Sequence, residues 1–573
     1  MNKRLLLILL SAFASLLLSL CALPSAAQVA PQRTASDDEA LLRKWVSTLG
    51  SDDFGGRLPM TEYEPKTINY LADQNLTYMK IKNLGLLSLA TGLSLSGANA
   101  AAAAEPASDA PKNAGPKKNV LLLIVDDMRP ELNCYGHADM VTPNMDALAA
   151  QGTLFTRAYC NIAVSGATRA SLLTGTRPTR NTFQSAHLYS QEQKPDKIGI
   201  NEHMKANGYF TIVSNGKTFH YQDDHKAGWD VIRPRNIKQK DYHSYEGQEE
   251  GRRPLPYECL DLPESDYCDG YIAEQAVRDL RMLAKQDKPF FYGLGFYKPH
   301  LPFNVPKKYW DLYDRDALPI PDNYVLKEGN DIPAVALPNW RELRNYSGIP
   351  KKGPVPEDMA RTLIHGYHAA VSFIDAQIGK VIAEMKSLGL DKNTFVVLIG
   401  DHGWNLGEHG CWCKHSILET SIHVPFIIVD PDAPQKGVRC DEVVEFLSIF
   451  PTICDAAGIP KPAQLEGESI LPLVGNPKEK GKGWAVCRWL NGFTIVTNDN
   501  YFYTEWWDKD DNVTDRLLFD HNVDPEENYN VAEKPEYAKL VKKLSKALRQ
   551  RRGPEFDKYG PEYNITHAFK PKD

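Results

Sequence analysis

The chain has 573 residues and a mass of 64.2 kDa, enough for a few domains of about 100–200 residues each. Hydrophobic residues make up 42% of it and aromatic residues 10%, which excludes collagen, coiled coil and general disorder for most of the chain. The formal net charge is -7, without the basic excess of nucleic-acid binders, and no interior stretch reaches about 18 consecutive apolar residues. We therefore expect no nucleic acid and no integral membrane protein as partner.

The N-terminus has the pattern of an export signal. Lys3 and Arg4 precede an apolar run over residues 5–20, and the small residues at 25–27 offer a cleavage site. We predict a signal peptide over residues 1–28 and an exported protein, periplasmic or secreted. The alternative is a membrane anchor, for which the apolar run is short.

A second signal-like stretch follows at residues 79–118. After a basic start it has an apolar run over 84–95 and small residues at 98–100. The remainder, rich in Ala, Pro, Lys and Asp, is typical of a linker. One exported protein does not need two signals, so this duplication requires an explanation.

The segment between the two signals, residues 29–78, belongs to a different kind of protein in our interpretation. The stretch from Leu41 to Leu71, including Ser51 to Arg57, resembles the opening segment of secreted bacterial zinc aminopeptidases, but the metal-binding part of such an enzyme is absent. We interpret residues 1–78 as a fusion or a misplaced start, with the working protein beginning at Met79. A genuine helical prodomain is the alternative.

Apolar runs predict four strands that are buried on both faces of a sheet. They are Val120–Val125, Phe210–Val213, Phe290–Phe296 and Phe395–Ile399. Helical patterns intervene over residues 144–151, 271–284 and 359–388. Strands that alternate with helices predict an α/β sheet, and such sheets bind ligands at the carboxyl ends of their strands.

Each predicted strand is followed by polar residues that could take part in catalysis. In chain order these are Asp126, Asp127, Lys217, His220, His300, Asp401 and His402. Any one of them alone is more typical of a turn, a helix cap or a solvated surface, but their recurrence at strand ends indicates one site. Three carboxylates with an amide or a histidine form a hard, oxygen-rich shell that suits Ca²⁺ or Mg²⁺ better than zinc.

A further motif indicates the class of enzyme. The segment from Ala163 to Gly175 places Ser165 four positions before Arg169 and continues into an apolar helical turn. It resembles the sulfatase signature, whose first residue, Cys or Ser, is oxidised to formylglycine. Ser in place of Cys, and Ala167 where Pro is usual, are departures that we treat as a variant of the signature.

Other motifs occur in the order expected of the same family. Gly216 to His220, Lys298 to His300 and Gly407 to Lys414 resemble the iduronate-2-sulfatase branch of the sulfatases in particular. The resemblance extends from about residue 119 to residue 530. It implies an α/β fold of the alkaline-phosphatase-like type, a sandwich with a large mixed central sheet flanked by helices.

We assign the catalytic domain to residues 119–475 and a smaller α+β subdomain to residues 476–573. Alternating apolar and polar residues over Phe493–Tyr503 predict a strand or hairpin there, and Tyr537–Arg551 has the pattern of an amphipathic terminal helix. The stretch that closes the sulfatase resemblance, Leu518 to Asn528, lies between them. Such tails shape substrate pockets in this family, so the substrate is hard to predict from the sequence.

The resemblance also implies roles for individual residues. One Ca²⁺ ion would be held by Asp126, Asp127, Ser165 after its conversion, Asp401 and His402. The catalytic residues would be Ser165 as the formylglycine nucleophile, Arg169 as its brace, Lys217 and Lys414 as clamps for the sulfate, His220 as the partner of the gem-diol and His300 as the general acid.

The expected reaction is therefore hydrolysis of a sulfate monoester on a sulfated carbohydrate. The motifs shared with the iduronate branch favour a 2-O-sulfated uronic acid of glycosaminoglycans, and conversion of Ser165 requires a formylglycine-generating maturase as a partner. Two alternatives stay open: a phosphomonoester or phosphonate hydrolase of the same superfamily in which Ser165 attacks directly, and an inactive glycan-binding homologue in which Ser165 is never converted.

Overall fold

The computed structural model describes residues 117–233, 242–337 and 341–552. The predictions for residues 1–116, including the two signals and the aminopeptidase-like segment, lie outside these ranges and stay predictions. Within the described ranges, no helix combines the length and the apolar character needed to cross a membrane.

The strands and helices are as follows. The strands are β1 (Asn119–Asp126), β2 (Thr153–Tyr159), β3 (Phe210–Gly216), β4 (Val231–Ile232), β5 (Tyr257–Leu260), β6 (Phe290–Pro299), β7 (Phe303–Pro306), β8 (Thr394–Gly400), β9 (Asn405–Leu406), β10 (Trp412–Cys413), β11 (His423–Val429), β12 (Val438–Cys440), β13 (Val444–Glu445), β14 (Trp484–Trp489), β15 (Gly492–Thr497), β16 (Tyr501–Trp507) and β17 (Val513–Asp520). The α-helices are α1 (Pro143–Ala149), α2 (Ser165–Thr174), α3 (Ser190–Gln193), α4 (Ile200–Ala206), α5 (Cys268–Leu283), α6 (Lys307–Trp310), α7 (Arg341–Arg344), α8 (Glu357–Ser387), α9 (Glu419–Ile422), α10 (Ile449–Ala457) and α11 (Ala538–Arg551).

The central sheet is mixed and has the strand order β12-β2-β11-β8-β1-β6-β3-β4, with β13 also paired to β2. Strand β1 runs parallel to both β6 and β8, whereas β11 runs antiparallel to β8 and β2. Residues 120–125 of β1 are completely buried, as expected of a strand covered on both faces. The predicted mixed α/β sheet is confirmed.

The carboxyl ends of the parallel strands deliver polar residues to one edge of the sheet. Strand β1 ends at Asp126, β3 ends one residue before Lys217, and β8 ends one residue before Asp401. Strand β6 is longer than predicted and ends at Pro299, directly before His300. Because β1 lies between β6 and β8, and β6 lies beside β3, these residues meet above the centre of the sheet.

A second, smaller sheet is formed by the antiparallel strands β14 to β17 in chain order. One set of its side chains, including Ala485 and Trp489, joins the main hydrophobic core. Another set, including Val486 and Tyr503, packs with Leu544 and Leu548 of α11 in a core of its own. The predicted hairpin and terminal helix are therefore present, whereas the boundary at residue 476 stays a prediction.

Candidate active site

Ser165 is the first residue of α2 and lies at the carboxyl edge of the central sheet. Its Oγ donates a hydrogen bond to Asp126 Oδ1 at 3.2 Å and lies 2.9 Å from His402 Nε2. The residue is only 4% exposed. Ser165 lies at the N-terminus of a ten-residue helix, and the partial positive charge of a helix N-terminus favours an anion.

The side chains that surround Ser165 include a compact group of acidic and imidazole ligands. One ligand atom from each of Asp126, Asp127, Asp401 and His402 lies within 4.8 Å of all the others, and all four residues are buried. Asp127 has a φ of 61°, a conformation uncommon for a residue other than glycine. The hydroxyl of Tyr367 donates to the Asp127 carbonyl at 2.9 Å and so helps to hold this backbone in place.

Arg169 and Lys217 compensate part of this negative charge. Arg169 Nε donates to Asp401 Oδ2 at 2.9 Å, and its Nη2 lies 3.3 Å from Asp126 Oδ1. Lys217 Nζ donates to the other oxygen of Asp126 at 2.5 Å. Burial acts to raise the pKa of Asp126, but the charges of Lys217 and Arg169 outweigh it and hold that pKa well below its ordinary range.

Asp127 is compensated less completely. Lys414 Nζ donates to its two oxygens at 3.0 and 2.9 Å. Burial, together with the neighbouring Asp126, nevertheless raises the pKa of Asp127 well above its ordinary range. Because the nearby basic side chains compensate the charge of Asp127 only in part, this carboxylate is suited to bind an additional cation. Three carboxylates with one imidazole form a ligand set that fits Ca²⁺, a hard ion.

His300 lies opposite Lys414, and Glu342 connects the two. His300 Nε2 is 3.1 Å from Glu342 Oε1 and 3.8 Å from Asp127 Oδ2, and its Nδ1 is 2.7 Å from the Leu301 carbonyl. Glu342 Oε2 also lies 3.0 Å from Lys414 Nζ. Burial acts to raise the pKa of Glu342, but Lys414 and His300 outweigh it and lower that pKa to about 2.

His220 lies on the side of the site that carries Lys217. Burial, and then the charge of Lys217, lower the pKa of His220 to about 2, so its imidazole is neutral at ordinary pH. Its ring centroid is 5.7 Å from that of His187.

The structure thus brings all the residues predicted for the site to one edge of the sheet. It also adds Glu342, which sequence reasoning missed. Glu342 lies on α7, a helix of only four residues in a loop, where no strand end or motif draws attention to it. Trp404 is 1% exposed and lies under Lys414, with Nζ 4.9 Å from its ring centroid. It supports the lysine and offers little surface of its own.

Comparison with protein families identifies the class of protein. The family model described as "Sulfatase" matches residues 118–459, which is more than half of the chain. The chain belongs to the sulfatase family. It is therefore a sulfuric ester hydrolase, and a second model, described as the C-terminal part of N-sulphoglucosamine sulphohydrolase, matches residues 407–553 of this sulfatase.

Individual relatives are consistent with this assignment. The sulfatase is 33% identical to iduronate 2-sulfatase of Mus musculus over 386 residues, which cover 60% of this chain and 69% of the relative. A solved structure titled as a complex with the substrate D-glucosamine-2-N,6-O-disulfate superimposes with a TM-score of 0.60 at 22% identity, covering 76% of this chain and 97% of that one. The phosphonate monoester hydrolase of Agrobacterium radiobacter gives 0.61 at 21% identity, covering 78% and 99%. These two structures establish the alkaline-phosphatase-like fold.

Proposed function

We propose that this sulfatase hydrolyses sulfate monoesters of carbohydrates through a formylglycine made from Ser165. The observation that carries the proposal is the position of Ser165 Oγ, within hydrogen-bonding distance of both Asp126 and His402 in the ligand cluster. A hydrated aldehyde supplies one hydroxyl to attack sulfur and a second that allows sulfate to leave, which an unmodified Ser hydroxyl does not. The conversion requires a formylglycine-generating maturase as a partner.

The residues around Ser165 fit one Ca²⁺ ion, which Asp126, Asp127, Asp401, His402 and the converted Ser165 would hold. When bound, Ca²⁺ lowers the pKa of an attacking hydroxyl and neutralises the oxygens of the sulfate. Charge balance supports this assignment, because the four acids of the site, including Glu342, outnumber its three basic side chains by one. A divalent cation would leave a single positive charge, equal and opposite to that of a sulfate monoester.

The chain's own residues would perform the remaining work. Lys217 and Lys414 would contact the sulfate oxygens, and Arg169, which contacts two of the carboxylates, would keep those ligands in position. Both lysines lie beside the cluster that surrounds Ser165.

Two histidines would transfer protons on opposite sides of the sulfate. His300 would protonate the leaving alcohol from its protonated form; burial and Lys414 lower the pKa of His300, whereas the carboxylate of Glu342 acts to raise it and favours that form. Glu342, 3.1 Å from its Nε2, orients the ring. His220 would be the partner of the gem-diol and would take up its proton as the sulfated intermediate collapses.

As substrate we propose a 2-O-sulfated uronic acid of glycosaminoglycans. The similarity to iduronate 2-sulfatase, and the three motifs shared with that branch, support this choice. We further propose that the enzyme works outside the cytoplasm, in the periplasm or after secretion, because residues 1–28 and 79–118 both have the pattern of an export signal.

The test is release of free sulfate from defined mono- and disaccharides, followed by chromatography of the products. We expect release from 2-O-sulfated uronates by the wild-type enzyme and none by Ser165→Ala. Activity on 6-O-sulfated hexosamine alone would overturn the proposed substrate and leave the ester class standing. Cleavage of phosphonate or phosphate monoesters in place of sulfates would favour the phosphoester alternative, and absence of any turnover would favour a glycan-binding homologue.

A further inference from the structure

Arg488, on β14, is buried without a negatively charged partner in the part of the chain that the structure describes. The residue is 2% exposed, and its Nε and Nη2 make no hydrogen bond with any described residue. Its guanidinium lies 5.6 Å from the centre of the Phe493 ring. Because a buried cation without an acceptor is strongly unfavourable, a ligand is the natural source of the missing negative charge.

A second arginine lies close enough to make this imbalance larger. Burial, and then the charge of Arg180, lower the pKa of Arg488 to about 9. Arg180 is 6% exposed and forms an ion pair with Asp511 at 2.7 Å, but the Asp511 side chain is 45% exposed. The two guanidinium groups therefore place two positive charges close together in this region.

Arg177 offers an internal contrast, because it is buried beside the same strand and is fully paired. Its Nη1 and Nη2 lie 3.1 and 2.8 Å from the two oxygens of Glu445, and Nη1 also donates to the Val486 carbonyl of β14. Among the described residues, a buried carboxylate thus pairs with Arg177, whereas none pairs with Arg488.

The backbone places Arg488 next to the catalytic residues. Its N–H donates to the Asn161 carbonyl at 2.9 Å, and Ile162, three residues before Ser165, forms a β-bridge with it. On the other side, the ring of Trp489 lies 5.4 Å from the ring of His415, the neighbour of Lys414.

Arg180 reaches the same region from the loop that follows α2. Further along that loop, the carbonyl of Ala186 packs against Gly166 so closely that a Cβ at Gly166 would lie 2.0 Å from its oxygen. The next residue, His187, contacts the ring of His220. The loop that carries Arg180 therefore borders both Ser165 and the proposed proton acceptor.

We propose that Arg488 and Arg180 form a subsite for a second anionic group of the substrate, a carboxylate or a second sulfate, beside the sulfate that is cleaved. This inference rests on the proposed function, since it concerns the same substrate. A guanidinium presents planar, paired donors that match the two oxygens of a carboxylate or sulfate. The subsite would supply the cation that recognition of a uronate carboxylate requires and that Lys217 and Lys414, engaged with the cleaved sulfate, do not provide.

The test compares three sulfated sugars: a 2-O-sulfated uronate, a glucosamine with two sulfates, and a neutral hexose with one sulfate. For each enzyme, kcat/KM on the first two is divided by kcat/KM on the neutral sugar. We expect Arg488→Gln to lower at least one ratio about 10- to 100-fold, mainly through KM, because a hydrogen-bonded charge pair is lost. Loss on the uronate alone identifies a carboxylate as the ligand, and loss on the disulfate alone identifies a sulfate.

Controls separate this outcome from a folding defect and from failure of the proposed function. Arg488→Met preserves the volume without polar atoms and is expected to lower the same ratio, whereas Arg516→Gln removes a partly exposed guanidinium from the same small sheet and is expected to keep it. Unchanged ratios, or equal losses on all three sugars, would overturn the subsite. If the wild-type enzyme releases no sulfate from any of them, the proposed function fails instead.

Discussion

Two groups of buried charged side chains flank the segment that leads to Ser165: the ligand cluster, and Arg488 with its surroundings. They differ in how far neighbouring side chains of opposite charge compensate them. In the ligand cluster, Arg169 contacts two carboxylates, and Lys217 and Lys414 each contact at least one. Arg488 is as deeply buried, yet no described acidic side chain contacts it. Charges that have partners within the fold hold a site in shape, whereas a buried charge with no partner among the described residues indicates what the ligand must bring.

The largest expected effect comes from changing the ligand cluster. Asp401→Asn preserves an oxygen that can accept from the N–H groups of Asp127 and His402, but it removes a negative charge beside Arg169. We expect kcat for sulfate release to fall at least about 10³-fold while the circular dichroism spectrum is retained. Asp432→Asn, which changes an exposed carboxylate, is the matched control.

Removal of the metal tests the same cluster without a mutation. Exhaustive chelation is expected to abolish sulfate release, and added Ca²⁺ is expected to restore it, because the three carboxylates are hard ligands that the basic side chains do not fully compensate. Full activity in the chelated enzyme, verified as metal-free by elemental analysis, would contradict the assignment of the cluster as a metal site.

The next effect depends on the leaving group. If His300 protonates the departing alcohol, His300→Ala should lower kcat on sugar sulfates about 10²–10⁴-fold. Aryl sulfates have good leaving groups and should lose much less. The ratio of the two losses is the measurement, and equal losses on both substrates would remove His300 from the role of general acid.

A pair of stability measurements sharpens the comparison of balanced and unbalanced charge. Arg177→Met leaves Glu445 buried without its main partner and is expected to lower the free energy of unfolding by about 3–5 kcal/mol. Arg488→Met removes a buried charge that lacks a partner, so we expect no loss of stability or a gain. Chemical denaturation of both variants without substrate is the check, and an equal loss for both would mean that Arg488 is compensated after all.

The smallest effect is a dependence of stability on pH. Burial opposes the charge of His521, but Glu527 at 3.1 Å and Glu419 at 3.6 Å raise its pKa above the ordinary value of 6.5. Because the pKa is higher in the folded state, this stabilisation is fully present below about pH 6.5 and is lost as the pH rises through the folded-state pKa. His521→Gln should remove a contribution on the order of 1 kcal/mol, seen as a flatter curve of unfolding free energy against pH.

The position of the site at the carboxyl edge of the central sheet was predictable, because most of its residues come directly after predicted strands. Apolar runs such as Val120–Val125 end where polar residues begin, and parallel strands bring those ends together. Strand β11 was not predicted, although its residues 424–428 are buried, since a short apolar run between loops resembles a buried helix segment equally well.

The remaining parts of the site depend on tertiary contacts that periodicity does not encode. Glu342 reaches His300 and Lys414 from a four-residue helix in a loop, and nothing in its local sequence distinguishes it from a solvated glutamate. The same holds for Arg488, which occupies an ordinary strand position. Only the folded chain reveals that it has no acidic partner among the described residues.

The central claim is that Ser165 becomes the formylglycine nucleophile, and the mass of the peptide that contains it tests this claim most directly. In active protein isolated from its natural source, we predict a Ser165 peptide lighter than the unmodified sequence by two hydrogen atoms, or the hydrate of that aldehyde. Preparations with more of this form should release sulfate proportionally faster. Protein that hydrolyses sulfated sugars at its full rate while carrying only unmodified Ser165 would contradict the account.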